Sequence, residues 1–170
     1  MKKKCWKVET LLTGALALLG FGGCGNTDET PCLYGTPTAE YQVHGTVTDE
    51  SGNPLENIQV ILRDRYALSY YDEDGTPFIK SKDSEAFEML PDTVYTDKSG
   101  NFSCHKVKAM GKNSFKIDIT DIDGEANGGD FVSRTLTYKD LKEEQVKEES
   151  GFYKGEFKYA ETIRLNKKVK

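Results

Sequence analysis

The stretch Tyr41-Gln-Val-His-Gly-Thr-Val-Thr-Asp-Glu-Ser-Gly-Asn-Pro-Leu-Glu-Asn-Ile-Gln-Val60 decides the fold. Tyr41, Val43, Gly45 and Val47 alternate with Gln42, His44, Thr46 and Thr48, the period-two pattern of a strand with one face buried. Asp49 to Asn57 collects Gly, Asn and Pro and predicts a turn. Ile58, Val60 and Leu62 then alternate with Gln59, Ile61 and Arg63 as a second strand. Two strands joined by a polar turn are either a hairpin or two neighbours in a sandwich.

Downstream the signal weakens from Asp64 to about Asp92, a segment read as a long insertion with one or two short strands. Thr93–Thr96 and Asn101–Lys108 are expected as strands across the turn Asp97-Lys98-Ser99-Gly100, where Gly100 supplies a positive φ. Ser114–Thr120 alternates Phe115, Ile117 and Ile119 with Lys116, Asp118 and Thr120, the cleanest strand of the chain. Phe131–Tyr138 and Phe157–Leu165 read as two more. Between them Lys139–Ser150 is highly charged and is expected as one or two exposed helical turns or a mobile loop. Seven or so short strands separated by turns predict an all-β sandwich.

The first stretch, with Thr96-Asp97-Lys98-Ser99-Gly100-Asn101-Phe102, resembles the carboxypeptidase regulatory-like (transthyretin-like) domain. The resemblance implies a small seven-stranded sandwich over 41–167, with the insertion at about 64–92 as the departure from the family. It brings no zinc site with it. The whole chain, with Cys32-Leu-Tyr-Gly-Thr-Pro before the domain and Asp121-Ile-Asp-Gly-Glu-Ala-Asn-Gly-Gly within it, also resembles short bacterial lipoproteins encoded beside radical-SAM enzymes. That implies a place in the cell envelope, and the chain as a client or substrate of such an enzyme is one reading of it.

Upstream, Met1-Lys-Lys-Lys precedes an apolar run, Leu11 to Phe21, that ends in Gly22-Gly23-Cys24. As a helix these 11 residues would span roughly 16 Å, about half the hydrocarbon core, which suits a signal peptide and not a membrane span. Residues 1–23 resemble a bacterial lipoprotein signal, with Phe21 where such signals usually carry Leu. The resemblance implies cleavage before Cys24, lipid (palmitate) on Cys24 and a stable membrane anchor. Residues 24–40 lack periodicity and are expected to be a flexible tether. Asp28 and Glu29 resemble a surface-export signal, which implies the outer membrane and exposure on its outer face.

Without residues 1–23 the chain keeps 147 residues, with 19 basic against 27 acidic side chains, a formal −8 against −5 for the whole chain. Such a balance gives no general attraction to nucleic acid. The single Trp, Trp6, leaves with the leader. The cysteines beyond Cys24 are Cys32 and Cys104, which in an oxidising compartment either form a disulfide or remain separate, Cys104 as a core residue.

Groups that carry chemistry are few. His44 falls on the polar face of its strand, and His105 follows Cys104 so that the two point to opposite faces. No nucleophile elbow, zinc motif or phosphate loop is present, and a non-catalytic module is expected. Two features point to ligands. Asp121, Asp123, Glu125, Asn127 and Asp130 lie within ten residues with several glycines, and would either wrap Ca²⁺ or cap their own loop. The EF-hand pattern fails, because Ala126 stands where Gly is required and Val132 where the bidentate Glu should be. Tyr66, Tyr70 and Tyr71 of the insertion would either stack on a sugar or peptide or fill the edge of the sandwich. A non-catalytic binding or structural module is the first reading, with a glycan or an envelope protein as partner.

Overall fold

The computed structural model describes residues 35–72, 74–78, 90–111 and 114–169. The expected signal peptide, Cys24, Cys32, most of the tether and the middle of the insertion lie outside them. Eleven strands are described: β1 Thr38–Thr48, β2 Ile58–Arg63, β3 Ala67–Tyr71, β4 Pro77–Phe78, β5 Asp92–Tyr95, β6 Asn101–Ser103, β7 Lys106–Met110, β8 Lys116–Asp121, β9 Arg134–Thr137, β10 Lys142–Lys147 and β11 Tyr153–Arg164. A 3-10 turn, Tyr138–Asp140, joins β9 to β10. The architecture is an all-β sandwich. The larger sheet runs β10-β11-β1-β7-β3-β4, with β6 also on β1, and the smaller runs β5-β2-β8-β9. β1 and β11 pair in parallel, Gln42 opposite Lys158 through Thr48 opposite Arg164.

Seven strands were expected, and the difference has identifiable sources. The insertion contributes β3 and β4, the one or two short strands expected of it in addition to those seven. The stretch 101–108 breaks at Cys104–His105 into β6 and β7. The charged run expected as helical turns or a mobile loop forms β10, whose residues are all exposed. β1 also begins earlier than the sequence pattern suggests, at Thr38, because Ala39 is buried and pairs with Ala109.

The polar turns carry the chain between sheets. β1 and β2 lie in different sheets, so they are neighbours across the sandwich and not a hairpin. β5 and β6, expected as strands across one turn, likewise part at Asp97–Gly100 into different sheets. Thr96 explains the crossing. Its backbone N–H and C=O pair with Ile58 and Asn57, while its hydroxyl donates to Leu55 O (2.6 Å) and accepts from Ile58 N–H (2.9 Å). Asp97 Oδ1 accepts from the N–H groups of Ser99 (2.8 Å) and Asn101 (2.9 Å). Gly100 (φ +74) gives its carbonyl to Val47 N–H, and a Cβ there would lie 2.5 Å from Val47 O. The two landmark motifs of the sequence therefore meet in space as one structural joint.

Between the sheets the alternating apolar residues fill a single core. Val43, Val47, Val60, Leu62, Val107, Ile117, Ile119 and Ile163 have no exposed surface, and each contributes roughly 1.5–3 kcal/mol over its exposed state. At the end where β1 begins, Tyr41 stacks on Phe115 (centroids 4.6 Å) and Tyr159 meets Phe115 edge-on (4.8 Å). Burial, then the charge of Asp64, pushes the Tyr41 hydroxyl well above its ordinary range.

Candidate functional site

The outer face of the larger sheet carries a cavity of about 380 Å³. Strand alternation places Glu40 and Gln42 of β1 on this face, and ladder pairing sets Tyr71 of β3 beside Lys106 of β7. Ser103, Cys104 and His105 come from the corner between β6 and β7. The remaining wall is the turn between β3 and β4, where Asp72 N–H bonds Thr76 O (3.0 Å) and Gly75 adopts φ +81. The insertion thus frames one side of the cavity and the sandwich the other.

His105 is held from behind. Asp92, fully buried, accepts from the His105 backbone N–H (2.8 Å) and faces its Nδ1 (2.9 Å). A carboxylate at Nδ1 requires the proton there and sets the ring's tautomer. Ser103 Oγ accepts from Gln42 Nε2 (3.3 Å), and the same amide also reaches Cys104 O. Lys106 Nζ lies between Glu40 (3.1 Å) and Glu156 (2.8 Å), and Glu156 also meets Lys147 (2.6 Å). Burial works to lower Lys106, but hydrogen bonds and charge from Glu156 and Glu40 outweigh it and raise the lysine.

The three tyrosines of the insertion separate. Tyr70 is 1% exposed and belongs to the core, which corrects its assignment as a ligand contact. Adjacent strand residues point to opposite faces, so Tyr71 turns outward to the cavity. Tyr66 is exposed at the start of β3 with Arg65 over its ring (4.9 Å), and does not line that cavity.

The acidic loop closes on itself. Asp121 Oδ1 accepts from the N–H groups of Asp123 (3.1 Å) and Gly124 (3.3 Å), and its Oδ2 from Phe131 N–H (2.9 Å). Asp123 Oδ2 accepts from Asn57 Nδ2 (3.2 Å) and from Asn127 Nδ2. Asp130 pairs with Lys168 Nζ (2.6 Å), and Glu125 lies with Asp130 beside a second hollow. Of the five residues that would either wrap Ca²⁺ or cap their own loop, Asp121 caps backbone N–H groups, Asp123 takes the side-chain amides of Asn57 and Asn127, and Asp130 stands in an ion pair. Among the described residues no three His, Cys, Asp or Glu side chains converge as a metal-holding group. Cys104 is buried, and its expected partner Cys32 lies outside the described residues.

Sequence reasoning missed the buried pair Asp64 and Asp92, although it drew the insertion's limits at those two residues. Asp64 accepts from Tyr41 OH (2.7 Å), Tyr66 N–H (2.8 Å) and Ser114 Oγ (2.7 Å). Buried carboxylates so bonded pin both ends of the insertion to the core.

The chain matches no family model, and no curated protein matches it. Among solved structures, it is similar to 3-chlorocatechol 1,2-dioxygenase from Rhodococcus opacus 1CP, at 12% identity over 91% of this chain and 78% of that one, TM-score 0.45. Catechol 1,2-dioxygenase from Pseudomonas arvilla C-1 is similar at 15% identity, 96% and 69% coverage and TM-score 0.43. A minor pilin of Streptococcus agalactiae is similar at 16% identity, 79% and 47% coverage and TM-score 0.31. Likeness at this level carries no argument about activity, metal or partner.

Proposed function

We propose that the chain is a non-catalytic binding module of the bacterial cell envelope, held by lipid on Cys24 at the outer membrane and displayed on its outer face. The observation that carries the binding reading is the open cavity on the larger sheet, walled jointly by the sandwich and by the insertion that departs from the resembled domain. Several side chains around it are bonded to each other. Asp92 holds His105 through ring and backbone, while Ser103 Oγ accepts from Gln42. The anchor reading rests on the leader sequence.

One feature favours a carbohydrate as the ligand. Tyr71 presents an aromatic ring beside Gln42, Glu40 and Lys106, and sugar recognition pairs an apolar ring face with polar groups that fix orientation. Glycan-array binding by the mature protein should fall about tenfold or more with Tyr71→Ala and stay unchanged with Tyr66→Ala. Equal binding by both variants removes the cavity from the proposal. Palmitate labelling of the wild type and of Cys24→Ala tests the anchor separately, with label expected only in the wild type.

A further inference from the structure

We infer that Arg134 and Arg164 build an oxyanion site at the end of the sandwich opposite the start of β1. Arg134 is the first residue of β9 and Arg164 the last of β11, so they come from different sheets. Arg134 Nη1 donates to the Arg164 carbonyl oxygen (3.3 Å), which fixes its guanidinium across the seam. Both arginines line one hollow of about 230 Å³, with Ser133 and Asn166 as neutral polar neighbours and Leu165 buried beneath. The hollow is separate from the cavity with Tyr71, and the inference rests neither on that cavity nor on the anchor.

Charge bookkeeping supports an anion here. Arg63 is spent on Asp118 (2.7 Å), and Lys168 on Asp130 (2.6 Å). Among the described residues no carboxylate lies within ion-pair distance of Arg134 or Arg164. Asp140 feels the charge of Arg134, but its carboxylate is already held by Thr137 through N–H (2.8 Å) and Oγ1 (2.7 Å). Two like charges on one concavity repel, and an oxyanion between the two guanidinium groups removes the repulsion and gains charge-assisted hydrogen bonds. In a chain with 28 acidic and 23 basic residues this attraction is local. The volume suits a sulfate, a phosphate or the carboxylate of an acidic sugar and falls below the range of larger ligands, roughly 300–1,000 Å³.

Titration of ¹⁵N-labelled protein with sulfate, at ionic strength held constant with chloride, tests the site. Saturable amide shifts are expected at Ser133, Arg134, Arg164 and Asn166. Arg134→Gln and Arg164→Gln should each weaken binding about tenfold, and Lys98→Gln should leave it unchanged. Arg164→Gln decides the matter if Arg134→Gln perturbs the fold, because the Arg164 side chain carries no hydrogen bond among the described residues. Parallel titrations with phosphate, glucuronate and glucose identify the source. Glucuronate binding tighter than sulfate, with glucose silent, assigns an acidic sugar, and sulfate or phosphate binding tighter assigns a free inorganic anion. Shifts that spread over the lysines without saturating, or an affinity untouched by Arg164→Gln, overturn the inference.

Discussion

Thr96 and Thr48 are both buried, and their hydroxyls have opposite consequences. Thr96 Oγ1 serves an orphan carbonyl and an orphan N–H where the chain passes between sheets. Thr96→Val keeps the shape and strands both partners in the core, so a loss of about 2–4 kcal/mol is expected. Thr48 Oγ1 is buried with no hydrogen-bond partner among the described residues. Thr48→Val relieves that desolvation, and a change between zero and about 1 kcal/mol in favour of the fold follows. Urea unfolding of the two variants checks the pair, and a larger loss for Thr48→Val than for Thr96→Val would contradict it. Gly45 belongs to the same scale. A Cβ there would lie 2.5 Å from Glu161 O and 2.9 Å from the Phe102 ring, so the glycine of the first landmark is a site of close approach. Seen as sequence, that residue is only the third inward position of a strand.

At the scale of elements, β10 is informative because its side chains pack so little. Lys-Glu-Glu-Gln-Val-Lys pairs with β11 on one side and forms the edge of the larger sheet. Charged side chains on an edge oppose pairing with another chain. Lys142→Thr with Glu144→Val removes two of those charges while leaving Glu143 on Tyr159 (2.8 Å) and Lys147 on Glu156. Sedimentation velocity should show concentration-dependent self-association in the double variant and none in the wild type; a variant that sediments as the wild type does at every concentration rules this out. The same strand marks where sequence reading stops. β1, β2, β8 and β11 were legible because each buries one face and so alternates, with Phe115, Ile117 and Ile119 as the clearest run. β10 buries neither face, so no period was written into it. The turns at Asp49–Asn57 and Asp97–Gly100 were legible as turns, but a hairpin and a crossing between sheets use the same residue chemistry. Only contacts made far away in sequence, such as Thr96 with Leu55, choose between them.

For the molecule as a whole, the candidate cavity was legible in part. The insertion and its tyrosines drew attention, and Tyr71 does line the cavity with Asp72 and Gly75 of the same segment, but the opposite walls, Glu40 and Gln42 of β1 and Ser103 to Lys106, come from strands far away in sequence. The Asp92–His105 pair is formed across a turn between sheets and has no signature in spacing. Charge across the whole fold makes a further claim about pH. Burial works to raise Asp118 and Glu156, yet hydrogen bonds from Thr135 and Arg63, and from Lys106 and Lys147, hold them below their ordinary 3.8 and 4.5. An unfolded chain titrates near the ordinary values, so this stabilisation is complete above about pH 5 and is lost as pH falls through the lowered native values. Lys106 is raised above 10.5, and its contribution is complete below that value and is lost as pH rises through its native one. Burial also raises Tyr41, Tyr70 and Tyr159. The unfolded chain therefore releases phenol protons from about pH 10 while the folded one keeps them, which adds to the alkaline loss. Thermal unfolding followed by circular dichroism should give a plateau from about pH 5 to 9.5 with a fall on each side. Asp118→Asn should lower the plateau and flatten the acid limb. A melting temperature that peaks below pH 4, or stays level above pH 10, would show that these buried and paired groups do not govern the stability of the fold.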